Sequence, residues 1–427
     1  MINLPIRFIL LLSTCLPIMA ESVTRGPYLQ NATQTSIVIC WRTDVPSTSK
    51  VAYAQQGGDV AITRSVMTEA TLGLNHAVEI TGLKPGTRYH YAVVGEGADP
   101  QVIRFEEMYN FTTAPAVETA PVRIWALGDC GTANANQKAV RDSFYAHNKG
   151  PRTDVVLLLG DNAYTKGLDN EYQRAIFDIY PSSLSQSVFW STVGNHDTAS
   201  DANPALTIPY FQIFVNPVRG EAGGLASGTE KYYSFDHGPV HFVCLDSMTS
   251  ERTAKSAMAV WAAKDLSATT KPWIIAFWHH PPYTKGSHDS DKEKNLVEMR
   301  EVFVPILEQH GVDLVLSGHS HSYERSYLLD GHYDVSATLT DAMKKDGGLG
   351  DDKKPYTKKS GPRQGAIYVV PGSAGKISGG TLNHPAMVVS LNELGSFVID
   401  VAGNTLKARM LAPDQVIRDA FTLIKAE

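Results

Sequence analysis

Five apolar runs, each ending in residues of a kind that bind metals, limit what this chain can fold into. They read VRIWALGDCG, DVVLLLGDNAY, VFWSTVGNHD, WIIAFWHHPPY and VDLVLSGHSH. Each begins with residues suited to a buried strand. Each stops at Asp129, at Asp161 with Tyr164, at Asn195 with His196, at His279 or His280, or at His319 with His321. In an open parallel sheet, ligands bind in the crevice beyond the carboxyl ends of the strands. Five such ends would therefore gather their side chains at one edge. Asp, Asp, Asn, His and His-x-His suit two hard cations, which at about 3.5–4 Å apart form a clamp for phosphoryl transfer.

The 427 residues exceed one ordinary domain. An apolar fraction of 43% with 19% charged residues is that of a globular protein. A formal charge of -6 offers no basic surface for nucleic acid or an acidic membrane. A phosphorylated substrate would need local positive charge, which a dimetal centre can supply. At the N-terminus, Arg7 precedes FILLLSTCLPIM and then Ala20, the pattern of a cleavable export signal over residues 1–20. The stretch is short for a membrane anchor, and no later run reaches the roughly 18 apolar residues that a spanning helix needs. The expected location is secreted or periplasmic. Cleavage leaves Cys40, Cys130 and Cys244, an odd number that argues against a disulfide framework. Cys40 and Cys244 read as small core residues, and Cys130 as a spacer within a ligand motif.

Two regions differ in pattern. Residues 21–116 read as all-β: SIVICWRT, KVAYA, HAVEI, RYHYAVVGE and MYNFTTA are separated by turn residues. Leu83, Pro85, Thr87 and Tyr89 have the spacing of a tyrosine-corner turn. Residues 117–427 alternate apolar strands with helix-like stretches, as βαβ units require. The stretches are ANQKAVRDSFYAHN, EYQRAIFDIYPSSL, SAMAVWAAKDLSAT and EKNLVEMREVFVPILEQHG, the last stopping at Gly311. Residues 331–361, rich in Lys, Asp and Gly, read as a mobile, solvated loop.

An Asp after a strand is usually a cap or turn residue, and an isolated His in a loop is usually solvated. Repetition at successive strand ends reverses both readings. Asp161 has two oxygens with which to bridge two cations. Asn195 offers a neutral oxygen. His319 and His321 point the same way if their turn is extended. FWHHPPY leaves His279 and His280 as alternatives. Residue 131 is Gly, where many dimetal phosphoesterases carry a metal-binding His in D-x-H, and Tyr164 offers a phenol instead. A phenolate is a hard donor suited to ferric iron.

This set of motifs resembles the purple acid phosphatase branch of the metallophosphoesterases, in the calcineurin-like superfamily. RGPYLQNATQTSIVICWRT with LKPGTRYHY resembles the fibronectin type III-like domain that precedes those enzymes. The resemblance implies an α/β (α+β) fold of two facing sheets flanked by helices, behind an all-β sandwich. It selects His279 as the ligand in FWHHPPY. One metal, ferric iron, would take Asp129, Asp161, Tyr164 and His321. A divalent iron, zinc or manganese would take Asp161, Asn195, His279 and His319. His196 and His288 would contact the phosphoryl group, and one of them would protonate the leaving alcohol. The implied reaction is hydrolysis of a small phosphate monoester by metal-bound hydroxide. A phosphodiesterase or nucleotide pyrophosphatase on the same core is the alternative. A secreted adhesion protein with a dead enzyme domain is a third reading, opposed by the complete ligand set. Asp197 departs from the Glu of many family members. Tyr323, Glu324 and Arg325 read as a structural turn, and His237, His241, His310 and His384 as structural.

Overall fold

The computed structural model describes residues 22–56, 65–95, 109–117, 119–199 and 207–426. The export signal read at residues 1–20 lies outside them. The all-β region carries β1 (Val23–Gln30), β2 (Ile37–Gln55), β3 (Ser65–Ile80), β4 (Arg88–Val93) and β5 (Asn110–Thr112). The long β2 serves both ends of this sheet. Its first part pairs with β1 and its last with β4, with register irregularities between Arg42 and Ser49 where it bends. Ile37, Ile39 and Trp41 face one buried cluster. Val38 and Cys40 face another, which they share with Phe177 and Ile213 of the following region. Burial on both faces is why SIVICW is continuously apolar. The Lys84 N–H donates to Tyr89 Oη at 2.9 Å, which closes the expected tyrosine corner.

The second region contains β6 (Val122–Leu127), β7 (Val155–Leu158), β8 (Phe189–Ser191), β9 (Tyr233–His237), β10 (Val240–Cys244), β11 (Trp273–Trp278) and β12 (Leu314–Ser317). These are followed by β13 (Tyr323–Leu329), β14 (Lys344–Asp346), β15 (Tyr356–Lys359), β16 (Ala366–Pro371), β17 (Met387–Leu391), β18 (Ser396–Ala402), β19 (Thr405–Leu411) and β20 (Ile417–Ala426). One sheet runs β15-β20-β19-β18-β6-β7-β8. The other runs β14-β13-β16-β12-β11-β10-β9, with β17 on β13. Alternate residues of both sheets, such as Ile124, Leu157, Phe242, Ile275 and Leu316, meet in one core between them. The opposite faces pack on helices. Trp125 and Leu158 lie with Val140 and Phe144 of the helix Ala135–Asn148. Ala276 and Val315 lie with Trp261 of the helix Ala257–Ala268 and with Leu307. Neighbours β6–β7–β8 and β10–β11–β12–β16 are parallel, so the ligand-bearing ends point the same way.

Local chemistry explains the helix boundaries. Asn134 accepts from the Gln137 N–H at 3.0 Å and caps the helix that starts at Ala135. Two expected helices are interrupted. The stretch 293–311 is helical at Lys294–Glu298 and Val304–Gln309 but widens to a π-turn at Met299–Phe303, where Pro305 withholds an N–H. It stops at Gly311, φ +76°. The stretch 171–184 likewise breaks at Gln173–Phe177 and restarts at Pro181.

Residues 331–361 are mostly exposed, as expected, but they are not loop throughout. They supply β14 to one sheet and β15 to the other. Tyr356 is buried, and buried Lys358 donates to the Gly311 and Val312 carbonyls and pairs with Asp313 at 2.8 Å. A count of charges sees the lysine but not its partner. Tyr323, Glu324 and Arg325 lie in strand β13, where Arg325 makes a two-pronged pair with Asp419 at 2.6 and 2.9 Å. They are structural, as expected, although not in a turn.

His241 is held between Asp236 at 2.7 Å and Asp265 at 2.9 Å. Burial opposes its charge, but these two hydrogen bonds outweigh that and raise its pKa to about 9. A histidine raised above its unfolded value stabilises fully below about pH 6.5, and that stability fades as pH rises through about 9. His241→Gln should therefore cost on the order of 2–3 kcal/mol at pH 6 and much less near pH 10. Urea denaturation at the two pH values checks this, and a cost independent of pH would contradict it.

Candidate dimetal centre

The ligand-bearing turns follow the strands within a few residues, and their backbones are unusual. Asp129, Asp161 and His319 adopt positive φ of 55°, 52° and 66°. Non-glycine residues rarely do so, and such strain concentrates at functional sites. The glycines beside them leave room for the ligands. A Cβ on Gly160 (φ +89°) would lie 2.7 Å from His279 Cγ, and one on Gly318 2.6 Å from Asp129 Oδ2. Gly131 packs against the Asn162–Ala163 backbone so closely that no side chain fits there. This is the structural counterpart of the missing D-x-H histidine.

The side chains gather on two sides of Asp161. On one side, Tyr164 Oη is 3.2 Å from Asp129 Oδ1 and 3.2 Å from His321 Nε2, and that nitrogen is 3.5 Å from Asp129 Oδ1. On the other, Asn195 Oδ1 is 3.0 Å from His279 Nε2 and 3.0 Å from His319 Nδ1, while His279 Nε2 is 3.4 Å from Asp161 Oδ1. The outward nitrogens are already engaged. His279 Nδ1–H donates to the Leu159 carbonyl at 2.8 Å, and His321 Nδ1 meets Ser378 Oγ at 2.9 Å. Neutral imidazoles held this way turn lone pairs towards the oxygens of Asn195, Asp129 and Asp161. Lone pairs converging on lone pairs repel unless cations lie between them, and this donor set fits two.

The electrostatics agree. Burial pushes His319 down to about 3 and His321 down to about 4, so both keep their lone pairs in acid. Burial raises the Asp129 carboxyl. Asp161, equally buried, accepts the His196 N–H at 2.8 Å.

Residues 122–323 match the calcineurin-like phosphoesterase family, and residues 26–113 match the purple acid phosphatase N-terminal domain. The chain thus joins a calcineurin-like phosphoesterase domain to a purple acid phosphatase N-terminal domain, and its relatives are named purple acid phosphatases. It is 30% identical to purple acid phosphatase 15 of Arabidopsis thaliana over 285 residues, 60% of this chain and 50% of that protein. A purple acid phosphatase of Glycine max matches at 24% over 376 residues, 84% of this chain and 72% of the other. Several of the Arabidopsis relatives are spanned for only about half their length. The structure of a purple acid phosphatase from yellow lupin (Lupinus luteus) seeds shares the fold, with a TM-score of 0.72 at 16% identity over 94% of this chain and 75% of that one.

Within this phosphoesterase frame, the remaining candidates fall around the same centre. His280 lies beside His319 with its Nδ1 2.9 Å from Ser247 Oγ, and it offers a ring nitrogen within 4.8 Å of those of His279 and His319. His196 approaches Asp161 Oδ2 at 4.0 Å, and its Nδ1 donates to the Thr165 carbonyl at 2.8 Å. His288 stacks on His319 with ring centroids 3.7 Å apart. Asp197 faces away from the cluster. It accepts from the N–H groups of Gly194 (2.8 Å) and Asn162 (3.0 Å) and from Tyr172 Oη (2.5 Å), tying two ligand turns together. Two neighbours carried no motif and were missed from sequence. Glu293 bridges His288 Nδ1 (2.9 Å) and His319 Nε2 (3.5 Å), and Lys376 lies 4.1 Å over the Tyr164 ring.

Gly160→Ala tests whether the backbone sets this geometry. The new methyl meets the His279 ring at a positive φ, an overpacking cost of about 1–3 kcal/mol. The variant should melt lower and bind less metal on the His279 side. Thermal melting with elemental analysis checks this, and wild-type values for both would show that the turn yields.

Proposed function

We propose that this chain is a metal-dependent hydrolase of small phosphate monoesters that works in acid. The observation carrying the proposal is the convergence of Asp129, Tyr164 and His321 on one side of Asp161, and of Asn195, His279 and His319 on the other. The first set, with its phenol, suits ferric iron, and the second a divalent iron, zinc or manganese, with Asp161 shared. Bound there, the two metals supply Lewis acidity and lower the pKa of coordinated water. The chain's own residues do the rest. His196 is held by Thr165, and His288 by Glu293, each through Nδ1. That leaves both Nε2 atoms to meet phosphoryl oxygens. One of the two, His288 by our assignment, passes a proton to the leaving alcohol as the P–O bond breaks and a water oxygen takes its place, a contribution of about 10²–10⁴. Burial of His319 and His321 supports acid operation, because protons do not displace metal from imidazoles that stay neutral down to about 3 and 4. Export is proposed from residues 1–20 alone. Among the described residues, no helix is long and apolar enough to cross a membrane.

Tyr164→Phe should abolish a visible tyrosinate-to-iron absorption band while the fold persists. Asp161→Asn should drop both metals, and His279→Ala should lose metal where His280→Ala does not. Absorption spectra and elemental analysis read all four. A colourless, iron-free, fully active wild type would refute the ferric assignment, and metal loss only in the His280 variant would reverse the histidine assignment.

Turnover of an aryl phosphate should peak below neutral pH. It should fall on the alkaline side as the donor histidine loses its proton, and His288→Ala should flatten that fall. An aryl phosphodiester should be the poorer substrate at equal metal content. An alkaline optimum, or faster diester cleavage, would overturn the acid monoesterase reading.

A further inference from the structure

Lys376 is outside every motif, yet the loop that carries it is fixed to the centre on both sides. Before it, the Gly375 carbonyl accepts from Thr132 Oγ1 at 3.4 Å and Asn134 Nδ2 at 3.2 Å, and a Cβ on Gly375 would meet Asp129 O at 2.7 Å. After it, Ser378 donates its N–H to the His321 carbonyl at 3.1 Å and meets His321 Nδ1 through Oγ at 2.9 Å. The Lys376 backbone is therefore clamped between the turns of Asp129 and His321. Its side chain is half-buried and puts Nζ 4.1 Å from the centroid of the Tyr164 ring.

Among the described residues, this ammonium has no carboxylate or hydrogen-bond partner, and the ring of Tyr164 is what it touches. A cation held over an aromatic face gains only about 0.5–1 kcal/mol at an exposed site. A half-buried charge gains far more from an anion that completes its hydrogen bonds. Tyr164 also lies against His196, with ring centroids 4.4 Å apart, while His288 stands across the cluster on His319. Lys376 and His196 thus both lie against the ring of Tyr164, a candidate metal ligand.

We infer that Lys376 is a substrate-binding residue of this site, its ammonium receiving a phosphoryl oxygen from the tyrosine side. The inference rests on the phosphatase reading and names the residue that favours a dianionic monoester over a singly charged diester. Lysine acts here as a point charge, so arginine should substitute for it in part.

The test is calorimetric titration of inorganic phosphate into the metal-loaded protein, with metal content measured in each variant. Lys376→Met should weaken phosphate binding about ten-fold or more at unchanged metal content, and Lys376→Arg should recover most of it. In turnover, the Met variant should raise KM for an aryl monophosphate and leave KM for an aryl diester nearly unchanged. Wild-type phosphate affinity in the Met variant would overturn the inference. So would loss of metal in the Met variant alone, which would make Lys376 a support for Tyr164, or equal losses in both variants, which would show that shape and not charge matters. A wild-type protein that binds phosphate but cleaves no ester would instead sink the phosphatase reading, while the phosphate affinities would still decide the role of Lys376.

Discussion

A carboxylate taken out of water must be compensated by cations or N–H donors, or it becomes protonated. Asp161 is buried beyond the end of β7, which lies between the parallel strands β6 and β8, and its compensation comes from the turns after β8 and β11. The His196 N–H donates to it at 2.8 Å, His279 lies 3.4 Å away, and the two candidate metal positions flank it. Its positive φ turns the carboxylate across the crevice, and Gly194 opposite leaves just enough room. The arrangement works only if β7 lies between β6 and β8 and both run parallel to it. The requirement to compensate one buried anion thus reaches back to the order of strands.

Much of this was legible in the sequence because strands buried on both faces write themselves as apolar runs, and a site at strand ends writes itself directly after them. Asp129, Asp161, Asn195, His319 and His321 could be read that way. The choice between His279 and His280 could not, since the strand pattern leaves two adjacent histidines equivalent, and His279 was preferred only on the family resemblance. In the structure the Leu159 carbonyl holds the His279 ring, and both histidines lie beside His319. Glu293 and Lys376 were illegible for another reason. They come from loops whose approach to the centre depends on tertiary packing, and single charged residues in polar segments look solvated. Lys358 was misread on the same grounds, since its partner Asp313 lies forty-five positions earlier in the chain. The helices were readable where a cap announces them, as Asn134 does. They were misjudged where Pro305 turned one helical run into two joined by a wider turn.

The all-β region bears on the centre more closely than its lack of ligand motifs implies. Buried Arg25 holds Asp169 with two prongs at 2.8 and 3.0 Å, and Arg42 adds a third contact at 2.9 Å. Asp169 opens the short helix Asp169–Tyr172, and two positions on, Glu171 receives the N–H groups of Thr165, Lys166 and Leu168 at 2.7–3.0 Å. That grip shapes the turn after Tyr164, and the Thr165 carbonyl within it orients His196. A contiguous chain of contacts therefore runs from two arginines of the β-domain to a residue proposed to hold the phosphoryl group. A salt bridge between exposed groups would add little. Arg25 is 6% exposed, and losing the Asp169 carboxylate would leave its guanidinium with only the Gln173 side chain and the Asp169 carbonyl, so this one has weight. The N-terminal domain is best understood as a brace for the loop carrying Tyr164 and His196, which explains how a region without ligands can still shape the site.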